Sequence, residues 1–200
     1  MKRSILIIAL AVFGITASNA QEFVQFGIKG GANFASFTGD DYDSESRTAF
    51  NVGVLAEIPL ADKFSIQPEV LYSAQGFDIS EIDQDNIVDV DDNIEYQLDY
   101  ISVPVLAKIY LVEGLSIQAG PAFNFKVNEE VDNAPLEDGG DTDVNLSNTQ
   151  DFEVAGAAGL EYKFNNGFFI QGRYTYGFSD VIEDSNIHNS VFQAGIGFMF

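Results

Sequence analysis

The chain has 200 residues, of which 31 are acidic and 9 are basic, and its formal net charge at pH 7 is −22. This composition excludes nucleic-acid binding through phosphates, which requires clustered Lys and Arg. Hydrophobic residues make up 46% of the chain, which excludes wholesale disorder. The absence of Cys and the presence of one His exclude thiolate catalysis, disulfides, Cys-based zinc sites and most His-dependent chemistry. We expect no cofactor.

The start of the chain has the features of an export signal. Two basic residues precede a short apolar run, and small residues at Ser18 and Ala20 occupy the positions that signal peptidase recognises. The run is shorter than the roughly 20 residues that a membrane-spanning helix needs. We therefore expect cleavage after residues 1–20, with residues 21–200 forming one exported domain.

Beyond this signal, apolar and polar residues alternate with a period of two, which predicts strands that have one apolar face. No helical stripe is present. In chain order, the eight predicted strands are near residues 23–37, 47–60, 64–79, 94–111, 115–127, 151–164, 168–180 and 188–200.

The connections between these strands alternate in length. The short ones lie near residues 61–63, 112–114 and 165–167. The long ones lie near residues 38–46, 80–93, 128–150 and 181–187, and with their flanks they hold 23 of the 31 acidic residues. Short turns at one end and long loops at the other are typical of outer-membrane barrels. The sequence therefore predicts an all-β fold, namely an eight-stranded antiparallel transmembrane up-and-down β-barrel.

Lipid hydrocarbon offers no hydrogen bonds, so the outer face of such a barrel must be apolar. The face of the second strand that carries Phe50, Val52 and Val54 meets this requirement, and Asn51 and Glu57 lie on the opposite face. A soluble lipocalin-like barrel that binds a small apolar ligand has the reverse arrangement and is the alternative, because alternation alone fits both.

One predicted strand, near residues 94–111, has no single phase. Its first half places Tyr96, Leu98 and Tyr100 on one face, whereas Ile101 and Val103 start an apolar run on the other. This pattern predicts either a β-bulge near Tyr100 that reverses the faces or a first half that projects beyond the membrane.

Four segments resemble PorT-like, porin-family outer-membrane β-barrel proteins of the Bacteroidetes. They are FGIKGGANFASF (Phe26 to Phe37), YISVPVLAKIY (Tyr100 to Tyr110), GLEYKFNNGFFIQGRYTYGFSD (Gly159 to Asp180) and FQAGIGFMF (Phe192 to Phe200). The resemblance implies an outer-membrane location and a structural, surface-interaction or secretion-accessory role. It also implies that the assembly machinery recognises the terminal Phe200. If the short turns lie on the periplasmic side of the membrane, both termini are expected to be periplasmic as well.

Seven charged residues are predicted to face the lumen. An eight-stranded barrel is narrow and is normally filled by side chains, and charges in such an interior tend to pair. We therefore expect ion pairs that plug the lumen, with a narrow ion-conducting porin as the alternative. The seven residues are Lys29, Glu57, Glu69, Lys108, Glu161, Lys163 and Arg173.

We predict no enzyme and no catalytic residues. His188 lies two residues from Ser190, but closeness in sequence does not establish a triad, and no G-x-S-x-G motif is present. The expected partners are outer-membrane lipid, the assembly machinery and, at the acidic loops, a cationic protein or a divalent cation.

The segment DVDDN (Asp89 to Asn93) superficially resembles the start of an EF-hand. It lacks the turn glycine of that motif, because Ile94 stands in its place. We therefore predict no metal site. Weak Ca²⁺ binding by Asp89, Asp91 and Asp92 is a minority alternative.

Overall fold

The computed structural model describes residues 24–39, 42–43, 45–80, 93–132, 141–143, 150–178 and 188–200. The predicted export signal and most residues of the long acidic loops lie outside these ranges. Within the described ranges, no helix has the length and the apolar character needed to cross a membrane.

The alternating segments form eight long strands, as predicted. They are β1 (Gln25–Gly39), β2 (Glu45–Ala61), β3 (Phe64–Ser80), β4 (Asn93–Val112), β5 (Leu115–Asp132), β6 (Phe152–Lys163), β7 (Phe168–Gly177) and β8 (His188–Met199). Two short additional strands, Tyr42–Asp43 and Asp141–Asp143, pair with the ends of β1 and β5.

The sheet closes on itself. Each long strand pairs antiparallel with the next in the chain, and β1 also pairs with β8. The closing ladder runs from Gly27 opposite Met199 to Thr38 opposite His188. Because closure gives both edge strands a hydrogen-bonding partner, the wall of the barrel satisfies its own backbone groups.

Three tight turns, at residues 62–63, 113–114 and 165–167, lie at one end of the barrel, which we call the turn end. Gly114 and Gly167 have φ angles of 79° and 89°, a region that favours glycine. The Phe200 N–H group donates a hydrogen bond to the Phe26 carbonyl at 2.8 Å, so β1 begins where the chain ends. Both ends of the barrel chain are therefore at the turn end, and we call the opposite end the loop end.

The barrel has apolar residues on its outer face and mostly polar residues on its inner face, which is the reverse of a soluble barrel. Phe50 and Val54 point outward and are each 55% exposed, whereas Asn51 and Glu57 point inward and are each 2% exposed. The other strands alternate in the same way, with apolar residues outside and mostly polar residues inside. The lipocalin-like alternative requires the reverse distribution and is wrong.

The irregularity predicted near Tyr100 is present, but it does not reverse the faces of β4. The register between β4 and β5 shifts between Asp99 and Tyr100, and the extra residue is Val127 of β5. Leu98 and Tyr100 are both buried in the interior, while Val105 remains exposed outside. The predicted reversal is wrong because the bulge lies in the neighbouring strand, so β4 keeps one phase and places an aromatic ring inside.

Candidate functional site: the luminal polar network

Inward positions of the strands bring polar side chains together inside the barrel. Six of the seven charged residues predicted for the lumen are at most 3% exposed, and the seventh, Lys163, has a side chain that is 21% exposed. The structure brings all seven into ion pairs with one another. They form two clusters.

The Glu57 cluster lies nearer the turn end. The Glu57 Oε2 atom is 3.1 Å from the Nζ atoms of both Lys108 and Lys163. The Tyr110 hydroxyl donates a hydrogen bond to Glu57 Oε1 at 2.5 Å. Lys108 also lies 2.6 Å from Glu161 Oε1. A buried carboxylate with this many donors is held in one position.

The Glu69 cluster lies beside it. Arg173 donates to both oxygens of Glu69, at 2.8 and 2.7 Å, and Lys29 lies 2.7 Å from Oε2. Gln67 accepts a hydrogen bond from Lys108 at 3.1 Å and donates one to Glu69 at 2.8 Å. Gln67 therefore joins the two clusters into one network. The forked pairing of Arg173 with Glu69 adds geometric specificity to the charge attraction.

A layer of amide and hydroxyl side chains also lies in the lumen. Asn33 donates to Ser73 at 2.9 Å, and its Oδ1 atom accepts hydrogen bonds from Asn51 at 2.6 Å and Gln193 at 3.0 Å. We call this group, with Gln75 and Asn189, the amide layer; Asn189 donates to Gln75.

Apolar residues fill a further part of the interior. Leu55, Phe169 and Met199 form a buried cluster on the inward face. A Cβ atom at Gly197 would lie 2.2 Å from the ring of Phe169, so only glycine leaves room for that ring. The inward positions are thus not uniformly polar.

The sequence-based set omits several residues of the interior. Tyr110 and Gln67 complete the two clusters, and Glu153 is a further buried carboxylate, 3% exposed. All three have the inward parity of their strands, which could have identified them. Tyr110 and Gln67 lie outside a set defined by charge, whereas Glu153 meets both criteria, charge and parity.

A cavity of about 820 Å³ lies at the turn end. Gln25, Tyr110 and Lys163 line it together with residues of two turns. Since Glu57 also lines it, the Glu57 cluster forms the inner wall of this cavity.

His188 and Ser190 do not form a nucleophile–base pair. The Ser190 hydroxyl lies 2.9 Å from the Tyr174 hydroxyl, and the His188 ring lies 5.5 Å from the ring of Tyr176. Both residues therefore contact aromatic side chains near the loop end.

No three His, Cys, Asp or Glu residues come together as metal ligands in the described part of the chain. Asp89, Asp91 and Asp92 lie outside the described residues, so weak Ca²⁺ binding there stays a prediction.

Comparisons with known proteins give one family and a set of similar structures. The family model described as "Outer membrane protein beta-barrel domain" matches residues 17–183. Neisserial surface protein A has a similar structure, with a TM-score of 0.60, 14% identity, and coverage of 90% of this chain and 100% of that one. No curated protein gives a significant match.

A second similar structure is that of Ail, the attachment invasion locus protein of Yersinia pestis. Its TM-score is 0.53 at 14% identity, with coverage of 88% of this chain and 98% of that one. Ail has also been solved in complex with the heparin analogue sucrose octasulfate. At these identities the likeness concerns the fold alone.

The luminal network makes a prediction about stability. Lys108→Met removes the cation 2.6 Å from Glu161 and leaves that buried carboxylate without its ion pair. We expect a loss of about 3–5 kcal/mol in the free energy of unfolding, measured by urea titration of the protein in lipid vesicles.

The matched control is Lys63→Met, which removes an exposed lysine at the turn end and should change stability by less than about 0.5 kcal/mol. Adding Glu161→Gln to Lys108→Met should recover part of the loss, because the unpaired charge is then gone. Equal effects of the two lysine substitutions would show that the buried pairs do not stabilise the fold.

Proposed function

Because the chain belongs to the outer membrane protein β-barrel domain family, we propose a closed lumen and a structural or surface-interaction role for this small outer-membrane barrel. The family and the similar structures are outer-membrane barrel proteins rather than enzymes. The observation that carries the proposal is the joined pair of ion-pair clusters inside the barrel.

A plugged lumen is supported by what occupies it. Arg173, Lys108 and Glu69 are each at most 1% exposed, and the amide layer and the Leu55 cluster occupy further interior volume. Wide aqueous channels belong to barrels of about 16 strands, whereas eight strands leave room for little more than side chains. A narrow ion-conducting porin requires this network to open.

The proposed orientation follows from the two ends. Outer-membrane barrels have short periplasmic turns and long extracellular loops. We therefore place the turn end, with both chain termini, in the periplasm. Phe200 is 73% exposed there, so its ring is available to the assembly machinery during biogenesis.

The loops are the proposed interaction surface. Residues 38–46, 78–95, 128–151 and 180–187 contain 23 acidic residues and no Lys or Arg. Such a surface attracts cations and repels polyanions. The partner we propose is therefore a cationic protein or a divalent cation, in contrast to the polyanionic heparin analogue bound by Ail.

The secretion-accessory form of this role is implied only by the resemblance to PorT-like proteins of the Bacteroidetes, and the resembling segments do not separate the secretion proteins of that family from its other members. The resembling segments include most of the second half of β4, the whole of β7 and the last part of β8. These strands belong to the barrel wall and do not themselves indicate a secretion partner.

A plugged lumen predicts no ion conduction. We expect planar lipid bilayers that contain the purified protein to show no reproducible conductance steps. The measurement uses about 1 M KCl, which screens the surface charge of the protein. A large porin inserted in the same bilayers serves as the positive control. Regular steps from the protein would favour the narrow porin instead.

The loop surface predicts charge-dependent binding. A fluorescent oligolysine peptide should bind the protein in vesicles at low salt, and binding should weaken as salt screens the charges. Neutralising three loop carboxylates together, with Asp89→Asn, Asp91→Asn and Asp92→Asn, should weaken binding several-fold.

The control neutralises two exposed carboxylates at the turn end, with Asp62→Asn and Glu113→Gln, and should leave binding nearly unchanged. An equal loss in both sets of variants, or no binding at low salt, would contradict a loop-based interaction surface.

A further inference from the structure

Glu153 carries a carboxyl group that is buried inside the barrel and lies outside the two ion-pair clusters. It is the second residue of β6, at the loop end, and it is 3% exposed. Its Oε2 atom accepts a hydrogen bond from Asn124 at 3.3 Å, whereas its Oε1 atom has no hydrogen-bond partner among the described residues. An ionised carboxylate in this place is costly, because one long hydrogen bond from a neutral amide replaces its hydration.

The cations of the neighbouring strands pair with other groups. Lys126 of β5 has its Nζ atom 2.9 Å from Glu129 and 3.4 Å from Asp151. Arg47 of β2 donates a hydrogen bond to a backbone carbonyl of β3 at 2.8 Å. Within the described part of the chain, neither cation forms an ion pair with Glu153. The charge of an ionised Glu153 would therefore lack a nearby Lys or Arg to balance it.

The strands β7 and β8 pack closely against this carboxyl group. A Cβ atom at Gly177 of β7 would overlap Glu153 Oε1, so the oxygen fills space that only glycine leaves. From β8, the neighbours are Asn189, which is 4% exposed, and His188, the one titratable group of that strand that acts on Glu153. This packing leaves little room for water around the carboxyl group.

We propose that the folded barrel holds Glu153 as a neutral carboxylic acid and that its ionisation loosens the loop end. The amide groups of Asn124 and Asn189 can both donate and accept hydrogen bonds, so they suit the neutral acid. When the proton leaves to solvent, the remaining charge can be hydrated only if β6 separates from β7 and β8 near Gly177. The long acidic connection from β5 joins the barrel immediately before β6, so this separation acts at the base of a loop.

Thermal unfolding as a function of pH tests the neutral state. In detergent micelles at about pH 4, wild type and Glu153→Gln should have nearly equal Tm, because the unfolded chain also keeps much of this proton there. As the pH rises, the unfolded chain releases the proton before the folded barrel does, so wild type loses stability relative to the variant. At about pH 8 the Tm of Glu153→Gln should be higher than that of wild type by about 5 °C.

Asp151→Asn is the matched control, since its side chain is 92% exposed and lies two residues away. This variant should keep the pH dependence of wild type. Two results with Glu153→Gln would overturn the proposal. A Tm that follows wild type at every pH would show that Glu153 ionises as an exposed carboxyl group does. A Tm below that of wild type at about pH 5–6 would show instead an ion pair of Glu153 with protonated His188.

Hydrogen exchange of single amides tests the loosening. The Phe178 N–H group donates to the Val154 carbonyl at 2.8 Å near the loop end, and the Lys163 N–H group donates to the Gly114 carbonyl at 2.8 Å at the turn end. At about pH 9 the Phe178 amide should exchange several-fold faster in wild type than in Glu153→Gln, whereas the Lys163 amide should exchange equally in both. Equal rates for the Phe178 amide would contradict the loosening.

Infrared spectroscopy of wild type removes any dependence on the folding of the variants. At about pH 6, where exposed carboxyl groups are ionised, the folded barrel should retain the carbonyl band of a protonated carboxylic acid. The band should disappear reversibly as the pH is raised. A spectrum without this band at about pH 6 would contradict the neutral state of Glu153.

Discussion

The absence of hydrogen-bonding partners in lipid hydrocarbon is the constraint on which the rest of this structure depends. A strand that crosses the membrane must find partners for its backbone groups on both sides, and the pairing of β1 with β8 supplies the last set. Closure then separates two environments. The outer one accepts Val52 and Val54, and the inner one must accommodate every polar side chain of the alternating pattern.

Closure places charged side chains in the narrow interior of the barrel, where they form ion pairs. Eight strands enclose a narrow interior, in which an unpaired charge is costly. The two clusters pair such charges by joining residues that are far apart in sequence, such as Lys163 with Glu57 and Arg173 with Glu69. Buried pairs of this kind give modest net stability, but breaking one of them is expensive, so the network favours a single arrangement of the side chains. Glu153 is a buried carboxylate outside these two clusters, and it accepts a hydrogen bond from Asn124.

Much of the fold could be predicted from the sequence, because alternate residues of a strand face two different environments and therefore alternate in polarity. The eight strands and the three turns follow from a period of two and from the short segments between the strands. The outward position of Phe50 and Val54 follows only when the barrel is also placed in lipid, which requires an apolar outer face. The phase of β4 could not be predicted, because the bulge belongs to β5 and becomes visible only when the two strands are paired.

The candidate site was predictable in its members but not in its connections. Parity assigns Lys108 to the interior, yet its contacts with Glu57, Gln67 and Glu161 depend on how three other strands are placed around the barrel. The same limit applies to Glu153, whose hydrogen bond from Asn124 depends on the pairing of β5 with β6. The role of the acidic loops rests on their charge alone.

The distribution of lipid-facing and luminal residues can be measured directly, because the chain has no Cys and accepts single nitroxide labels. Labels at positions 50, 52 and 54 of β2, with the protein in lipid bilayers, should be highly accessible to dissolved oxygen and poorly accessible to a water-soluble nickel complex. A label at Asn51 should have low accessibility to both, because that side chain is buried in the amide layer. High accessibility of positions 50, 52 and 54 to the nickel complex would contradict an inside-out barrel embedded in the membrane.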